Sequence, residues 1–378
     1  MGAETQPRVL ISARDPSTAG AVKILVEEFL NNGQVELILA TQFPATQALS
    51  KIFKSIKHIS VPDLSDDDEL INYARKLLDE IQPDIVITGI SGPGYGIDEV
   101  LLATCARDDA SPYAVQSYWG DINEAFGAKA QVYLVIDDFA AKLTSQKTGK
   151  PTEVIGSMTY RDYNQFDTEQ IRADFREEFI GNFDLLIGLI GQPIEASNSY
   201  DITLKAFADA LGEQHLDIGI VYRPHPKETF EQRERTRDIF SKQGVTLYEG
   251  ENFELETLLC GMDLVVSAFS TCGYDLQQLL LVSEKPLAVP VYLMFEEKLT
   301  RWFKEFTGLE NIPMSDRGLA IVIESKSELA GIFDLESVRS KKLECWKSVR
   351  EFFPESSKGA KVAVELILNN YKTKQKLC

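Results

Sequence analysis

Short apolar runs separated by helix-length amphipathic segments recur along almost the whole chain, and that rhythm leaves few folds open. In the first half, Arg8–Ser12, Val35–Ala40, Asp84–Thr88, Tyr113–Gln116 and Val132–Ile136 read as strands, with weaker ones at Ile56–Val61 and Glu153–Ile155. Between them, Ser17–Leu30 carries Val22, Leu25, Val26 and Phe29 at helical spacing. Asp66–Ile81, Ile97–Arg107 and Asp137–Gln146 read as helices too. Residues 157–165 have neither period and read as a crossing into a second domain, opened by a helix at Thr168–Phe179. There the alternation resumes with strands at Asp184–Ile190, Ile218–Val221, Asp263–Val266 and Ala288–Pro290. Mostly helical segments follow: Glu296–Phe306, Leu335–Phe352 and Ser357–Tyr371.

Strands alternating with helices imply βαβ units on parallel sheets. At 378 residues, two domains are expected. The architecture this predicts is α/β, with two Rossmann-like domains facing across a cleft and a helical C-terminal tail. The expected division is 1–160, 161–355 and 356–378, the last segment being a helix that can return to brace the first domain.

Charge narrows the partners. There are 39 basic and 58 acidic residues, a net charge of −19. Nucleic-acid binding needs clustered Lys and Arg, so it is not expected. Broad adhesion to an anionic membrane is disfavoured for the same reason, and no run approaches the ~18 apolar residues of a membrane helix. Cys105, Cys260, Cys272, Cys345 and Cys378 make no C-x-x-C pair, which reads as reduced thiols in a cytoplasmic protein. With three histidines and no clustered ligands, neither a metal nor another cofactor is expected.

Three polar turns follow strands of the second domain, and ligands of open parallel sheets collect at strand carboxyl ends. The first is Tyr222-Arg223-Pro224-His225-Pro226. Two prolines hold His225 rigidly, where it can donate to a phosphate oxygen or protonate a leaving phosphate, with Arg223 and Lys227 as flanking cations. A rigid turn with a surface histidine is the plainer alternative. His58 and His215 lack such a setting and read as structural. The second turn, Ser267-Ala268-Phe269-Ser270-Thr271-Cys272-Gly273, offers hydroxyls and free backbone N–H groups to an anion, although the same residues make ordinary helix caps. Asp275, one turn on, can accept ribose hydroxyls or balance the helix dipole. The third is Gly191-Gln192-Pro193, where Gln192 can read a base or sugar hydroxyl; Ser197 and Ser199 read as caps.

In the first domain, Ala13-Arg14-Asp15-Pro16-Ser17-Thr18-Ala19-Gly20 joins the first strand to the first helix without the G-x-G-x-x-G of a dinucleotide site. Arg14 and Asp15 are expected at the cleft. So are Ser91 and Gly92 of the glycine-rich loop 89–96, where backbone can approach a ligand closely. Trp119 can stack on a sugar ring or fill a core edge. Asp137 and Asp138 can share a proton or act as a general base, or serve as helix-start acids.

The architecture and these motifs resemble the glycosyltransferase-B (GT-B) superfamily. Gly191-Gln192-Pro193, Arg223-Pro224-His225-Pro226 and the serine motif at Ser267, Ser270 and Thr271 are similar to those of bacterial capsule enzymes that use CMP-activated sugars, the sialyl- and Kdo-transferases. The resemblance implies that His225, Ser270 and Thr271 contact the donor phosphate. It also implies that a first-domain carboxylate, Asp15, Asp137 or Asp138, is the base of an inverting transfer. Phe139 stands where the acidic pair of sialyltransferases is followed by glycine. The expected partners are a nucleotide-sugar donor, CMP-linked by resemblance, and a glycan or small-molecule acceptor; a homodimer is left open. The alternatives are a non-hydrolysing nucleotide-sugar epimerase, which shares the architecture, and a non-catalytic binding protein of the same fold.

Overall fold

The computed structural model describes residues 6–92, 94–105, 110–179, 183–194, 198–313 and 315–377. The chain divides into two compact units, one of Met1–Asp162 with Pro354–Cys378, the other Tyr163–Phe353.

The first unit holds seven parallel strands: β1 (Arg8–Ala13), β2 (Glu36–Thr41), β3 (Lys57–Ser60), β4 (Ile85–Thr88), β5 (Ser111–Val115), β6 (Val132–Val135) and β7 (Thr152–Val154). Their order is β3-β2-β1-β4-β5-β6-β7. Residues of β1 and β4 are buried on both faces, which is why they read as unbroken apolar runs. One face packs Val9, Ile11 and Ile87 against Val22, Leu25 and Phe29 of the Pro16–Asn32 helix and Ala363, Val364 and Ile367 of the Gly359–Leu377 helix. The terminal helix thus shares the core of the first unit. The other face packs Leu10, Ile38 and Val86 against the Asp67–Ile81 and Ile97–Cys105 helices. Asp67–Ile81 buries Leu70, Ala74, Leu77, Leu78 and Ile81, a single stripe, and starts where the Asp66 carboxylate accepts the Glu69 N–H.

The second unit holds six parallel strands: β8 (Leu185–Ile190), β9 (Ile218–Arg223), β10 (Leu247–Glu249), β11 (Leu264–Ser267), β12 (Val289–Leu293) and β13 (Ile321–Ile323). Their order is β10-β9-β8-β11-β12-β13. β12 runs past Pro290, where the sequence pattern ends it, and β13 adds an edge strand in a region expected to be helical. Short and only partly buried at the sheet edge, Ile321–Ile323 lacks the continuous buried apolar run that marks the inner strands.

Each sheet reverses strand order once. β1 lies between β2 and β4, and β8 between β9 and β11. In open parallel sheets such a reversal splays the loops apart at the strand carboxyl ends and opens a crevice there. In the second unit the loops at that point follow Ile190 and Ser267; in the first they follow Ala13 and Thr88.

Candidate functional site

In the second unit the three polar turns are bonded to one another. Gln192 Oε1 accepts the Phe269 N–H at 2.9 Å, joining the turns after β8 and β11. The Gly191 N–H donates to the Arg223 carbonyl at 2.9 Å, joining the ends of β8 and β9. Gln192, nearly buried, is therefore a tie between turns. Ser199 opens the Ser199–Gly212 helix, and Ser197 lies outside the described residues.

His225 is half-buried, and its Nδ1 accepts the Lys227 N–H at 3.1 Å. A nitrogen that accepts carries no proton, so the neutral ring has its hydrogen on Nε2. Partial burial, and then the Lys227 charge, lower the His225 pKa below the ordinary value and favour that neutral donor. Beneath it Glu228, 6% exposed, accepts the Tyr222 hydroxyl at 3.0 Å and the His225 backbone N–H. Arg223 Nη1 braces the loop after β10, donating to the Gly250 carbonyl at 3.2 Å and to the Phe253 carbonyl. Lys227 is exposed.

In the serine turn, Ser267 Oγ accepts the Ser270 N–H at 3.1 Å and Ser270 Oγ accepts the Cys272 N–H at 3.2 Å. These bonds aim the turn at the start of the Cys272–Val282 helix, for which exposed Thr271 is the N-cap residue without a side-chain cap bond. Asp275 is half-buried, and after burial its charge is the next cause pushing the Cys272 thiol up to about 11.

The first unit has its own polar centre, built on two carboxyl groups that the sequence motifs do not single out. Asp98 and Glu99 open the Ile97–Cys105 helix, where acids are ordinarily exposed dipole partners; here they are 0% and 1% exposed. Asp98 accepts from Ser12 Oγ at 2.5 Å, the Arg14 N–H at 2.9 Å and Ser91 Oγ at 3.4 Å. Glu99 accepts the N–H groups of Ser91 at 2.9 Å and Gly96 at 2.8 Å. Asn123 donates to the carbonyls of Ser91 and Gly94, and Gln42 accepts the Ile97 N–H at 2.9 Å. The glycine-rich loop is thus stapled from several sides; Pro93 within it lies outside the described residues. Gly96 is required there, because a Cβ would stand 2.3 Å from both Arg14 Cδ and Gln42 Oε1. Ser91 is buried in these ties, while Gly92 is exposed and its N–H reaches Asp15 Oδ2 at 3.4 Å.

Asp137 and Asp138 form no proton-sharing pair. Asp137 is fully buried, accepting the Ala140 N–H at 2.8 Å as a helix cap and the Trp119 Nε1–H at 2.7 Å, whereas Asp138 is exposed. Trp119, 7% exposed, is held by that bond inside the unit. Asp121, two residues further on, is half-buried; it closes the Ser117-Tyr118-Trp119-Gly120-Asp121 run, in which the sequence singles out only the aromatics. Burial, then the charges of Asp15 and Glu99, push its carboxyl up to about 7. Burial pushes Asp137 up to about 6 and raises Asp98 and Glu99 as well. The signal available in the sequence is position: acids directly after a glycine-rich loop, and an acid just past a strand end. Among the described residues no cluster of His, Cys, Asp and Glu could hold a metal ion. Nor is any helix there long and apolar enough to cross a membrane.

These raised carboxyls have a measurable consequence. Unfolding returns each to the ordinary range near 4, so between about pH 4 and 7 the folded chain binds more protons and its stability falls as pH rises. A carboxyl titrating near 7 contributes ~1.4 kcal/mol between pH 8 and pH 6. A calorimetric melt at pH 6 is expected to lie several degrees above one at pH 8, and D121N should remove a substantial part of that difference. Equal pH dependence in wild type and D121N would rule Asp121 out as a contributor.

No family model matches the chain, and no curated protein matches it in sequence. Solved structures do match its fold. The UDP-GlcNAc 2-epimerase of Neisseria meningitidis, solved with UDP-GlcNAc, superposes with a TM-score of 0.64 at 11% identity, covering 96% of this chain and 100% of that one. A glycosyltransferase of Rickettsia africae gives 0.63 at 13%, covering 98% of each chain. MurG of Acinetobacter baumannii gives 0.59 at 12%, covering 96% and 99%. The protein therefore has a GT-B-like fold of two parallel-sheet α/β units.

Proposed function

We propose that this protein is an enzyme of nucleotide-sugar chemistry whose second unit holds the donor phosphates. The observation that carries the reading is the neutral His225 ring, with its Nε2–H left to donate, on a turn bonded through Gly191 and Gln192 to the helix-start turn at Ser270. A phosphate there would meet a rigid imidazole donor and the amino end of the Cys272–Val282 helix. Lys227 adds a cation, and Asp275 is assigned to the ribose. Glycosyl transfer to an acceptor hydroxyl is the first reading. Within the first unit, the carboxyl best suited to take up a proton is Asp121, pushed up to about 7, rather than Asp137, whose oxygens are both committed. Retained turnover in D121N would move the role to Asp15. The second reading, 2-epimerisation, is favoured by the epimerases among proteins of similar fold. The donor nucleotide is CMP by resemblance of motifs or UDP by analogy with the N. meningitidis complex.

A thermal-shift series with CMP-, UDP-, GDP- and CDP-linked ligands tests this, since a ligand at 100 times its Kd stabilises the native state by about 2.7 kcal/mol. One nucleotide class is expected to raise Tm. The His225→Ala variant should keep the ligand-free Tm and bind that nucleotide roughly 10- to 100-fold more weakly, the loss of one hydrogen bond to a charged group. No shift with any nucleotide, or unchanged affinity in H225A, rejects the phosphate assignment. Conversion of a nucleotide sugar to its epimer without acceptor selects the second reading.

A further inference from the structure

We infer that Glu228 is the positioning residue for His225, holding the turn in which the ring keeps its hydrogen on Nε2 and faces a phosphate. The inference deepens the proposed phosphate site and rests on it only for function. Glu228 has one oxygen on the Tyr222 hydroxyl of β9 at 3.0 Å and the other on the backbone N–H of His225, while its own N–H donates to the His225 carbonyl at 2.9 Å. The turn from 225 to 228 is therefore closed twice, once by backbone and once by a carboxylate. That closure also sets Lys227, whose N–H occupies Nδ1. On its third side the carboxylate fills the space over Gly191, where a Cβ would stand 2.2 Å from Oε2. A side chain pinned among β8, β9 and the turn cannot shift without moving His225.

The two bonds received by the carboxylate both come from donors, which an ionised carboxylate accepts and a carboxamide satisfies only in part. The groups facing it are Tyr200 and Tyr222, Arg233 and Glu251, and His225 above. Burial raises the Glu228 pKa, and the His225 and Tyr222 bonds and Arg233 oppose that rise.

The test reads the ring directly. With only three histidines in the chain, the imidazole nitrogens of His225 can be followed by 1H–15N NMR. Wild type should show one neutral tautomer, protonated on Nε2. Glu228→Gln should mix the tautomers, because Lys227 N–H no longer stays on Nδ1. An unchanged tautomer overturns the proposal. Should that variant fail to fold, Tyr222→Phe, which removes one of the two side-chain bonds, should move the ring in the same direction by less; an unmoved ring there overturns it equally. UDP or CMP affinity, whichever wild type binds, then supplies the functional arm. Glu228→Gln should weaken it about tenfold, and combining it with His225→Ala should cost no more than His225→Ala alone, since residues acting through one another are not additive. Losses that multiply overturn the proposal. If wild type binds neither nucleotide while the ring responds as stated, the phosphate reading fails and the positioning of His225 stands.

Discussion

Replacing Asp263 with alanine is expected to lower the melting temperature of the second unit by roughly 10 °C, the largest stability loss we foresee for a single side chain. Asp263 lies at the start of β11 and receives three cations: Arg172 at 2.7 Å and Lys342 at 2.9 Å on Oδ1, and Arg176 at 2.7 Å on Oδ2. Its Oδ2 also accepts the Leu186 N–H of β8 at 3.0 Å. Asp263 is 14% exposed and its three cations 16% to 30%, so all are poorly solvated; Arg172 and Arg176 also donate to the carbonyls of Cys260, Met262 and Gly261, but their charge is balanced by this carboxylate. Removing one partner of such a buried set costs about 3–5 kcal/mol, because uncompensated charge is left behind. A unit of this size loses ~2–4 °C per kcal/mol. Asparagine keeps the shape but not the charge, so D263N should fall nearly as far. A loss under ~1 kcal/mol in both would mean the arginines reach water by another route. The pH signature is opposite to that of the first unit. Burial alone would raise the Asp263 carboxyl, but Lys342, Arg176 and Arg172 override it and hold it well below the ordinary range. Its contribution is therefore complete above about pH 4 and disappears as pH falls further.

None of that network is visible in the sequence. Arg172 and Arg176, one turn apart, look like the wet face of a helix, and their carboxylate lies at the far end of a different βα unit. The parallel strands, by contrast, were legible because β1, β4, β8 and β11 are covered on both faces and read as continuous apolar runs. The three-residue strands β10 and β13 pair at sheet edges and left no such trace. At the site, residues with restricted backbone stood out, as His225 does between its prolines. Residues that act through the fold did not. Glu228 follows His225 by three positions and looks like any acid near a helix start. Asp98 and Glu99 look the same. What converts all three into buried acceptors is the backbone N–H groups of neighbouring loops, which no side-chain pattern announces. Arg223 is partly braced by the fold: its Nη1 donates to the carbonyls of Gly250 and Phe253, while its charge acts on the Cys272 thiol of the serine turn.

Gly191→Ala is the second change expected to have a large effect, and its cause is purely steric. The new Cβ would lie 2.2 Å from Glu228 Oε2, 3.0 Å from Cδ and 3.1 Å from Oε1. Because Glu228 is fixed at both oxygens, it can give way only by surrendering Tyr222 or His225. Overpacking of this kind costs about 1–3 kcal/mol, and each buried partner left unsatisfied adds about as much. We expect a loss of about 3 kcal/mol. Gly92→Ala, with nothing within 4 Å of its Cβ, should be close to neutral. The decisive comparison is the double variant. Glu228→Ala alone leaves a void and two orphaned donors, but it also clears the space that the added methyl group needs. The stability losses of Gly191→Ala and Glu228→Ala should therefore combine to at least ~1 kcal/mol less than their sum, as expected for residues in contact. Strict additivity would mean that Gly191 is glycine for a reason other than Glu228. Sub-additivity would tie the first turn of the second unit to the carboxylate beneath His225, and so make the glycine after β8 part of what fixes the imidazole.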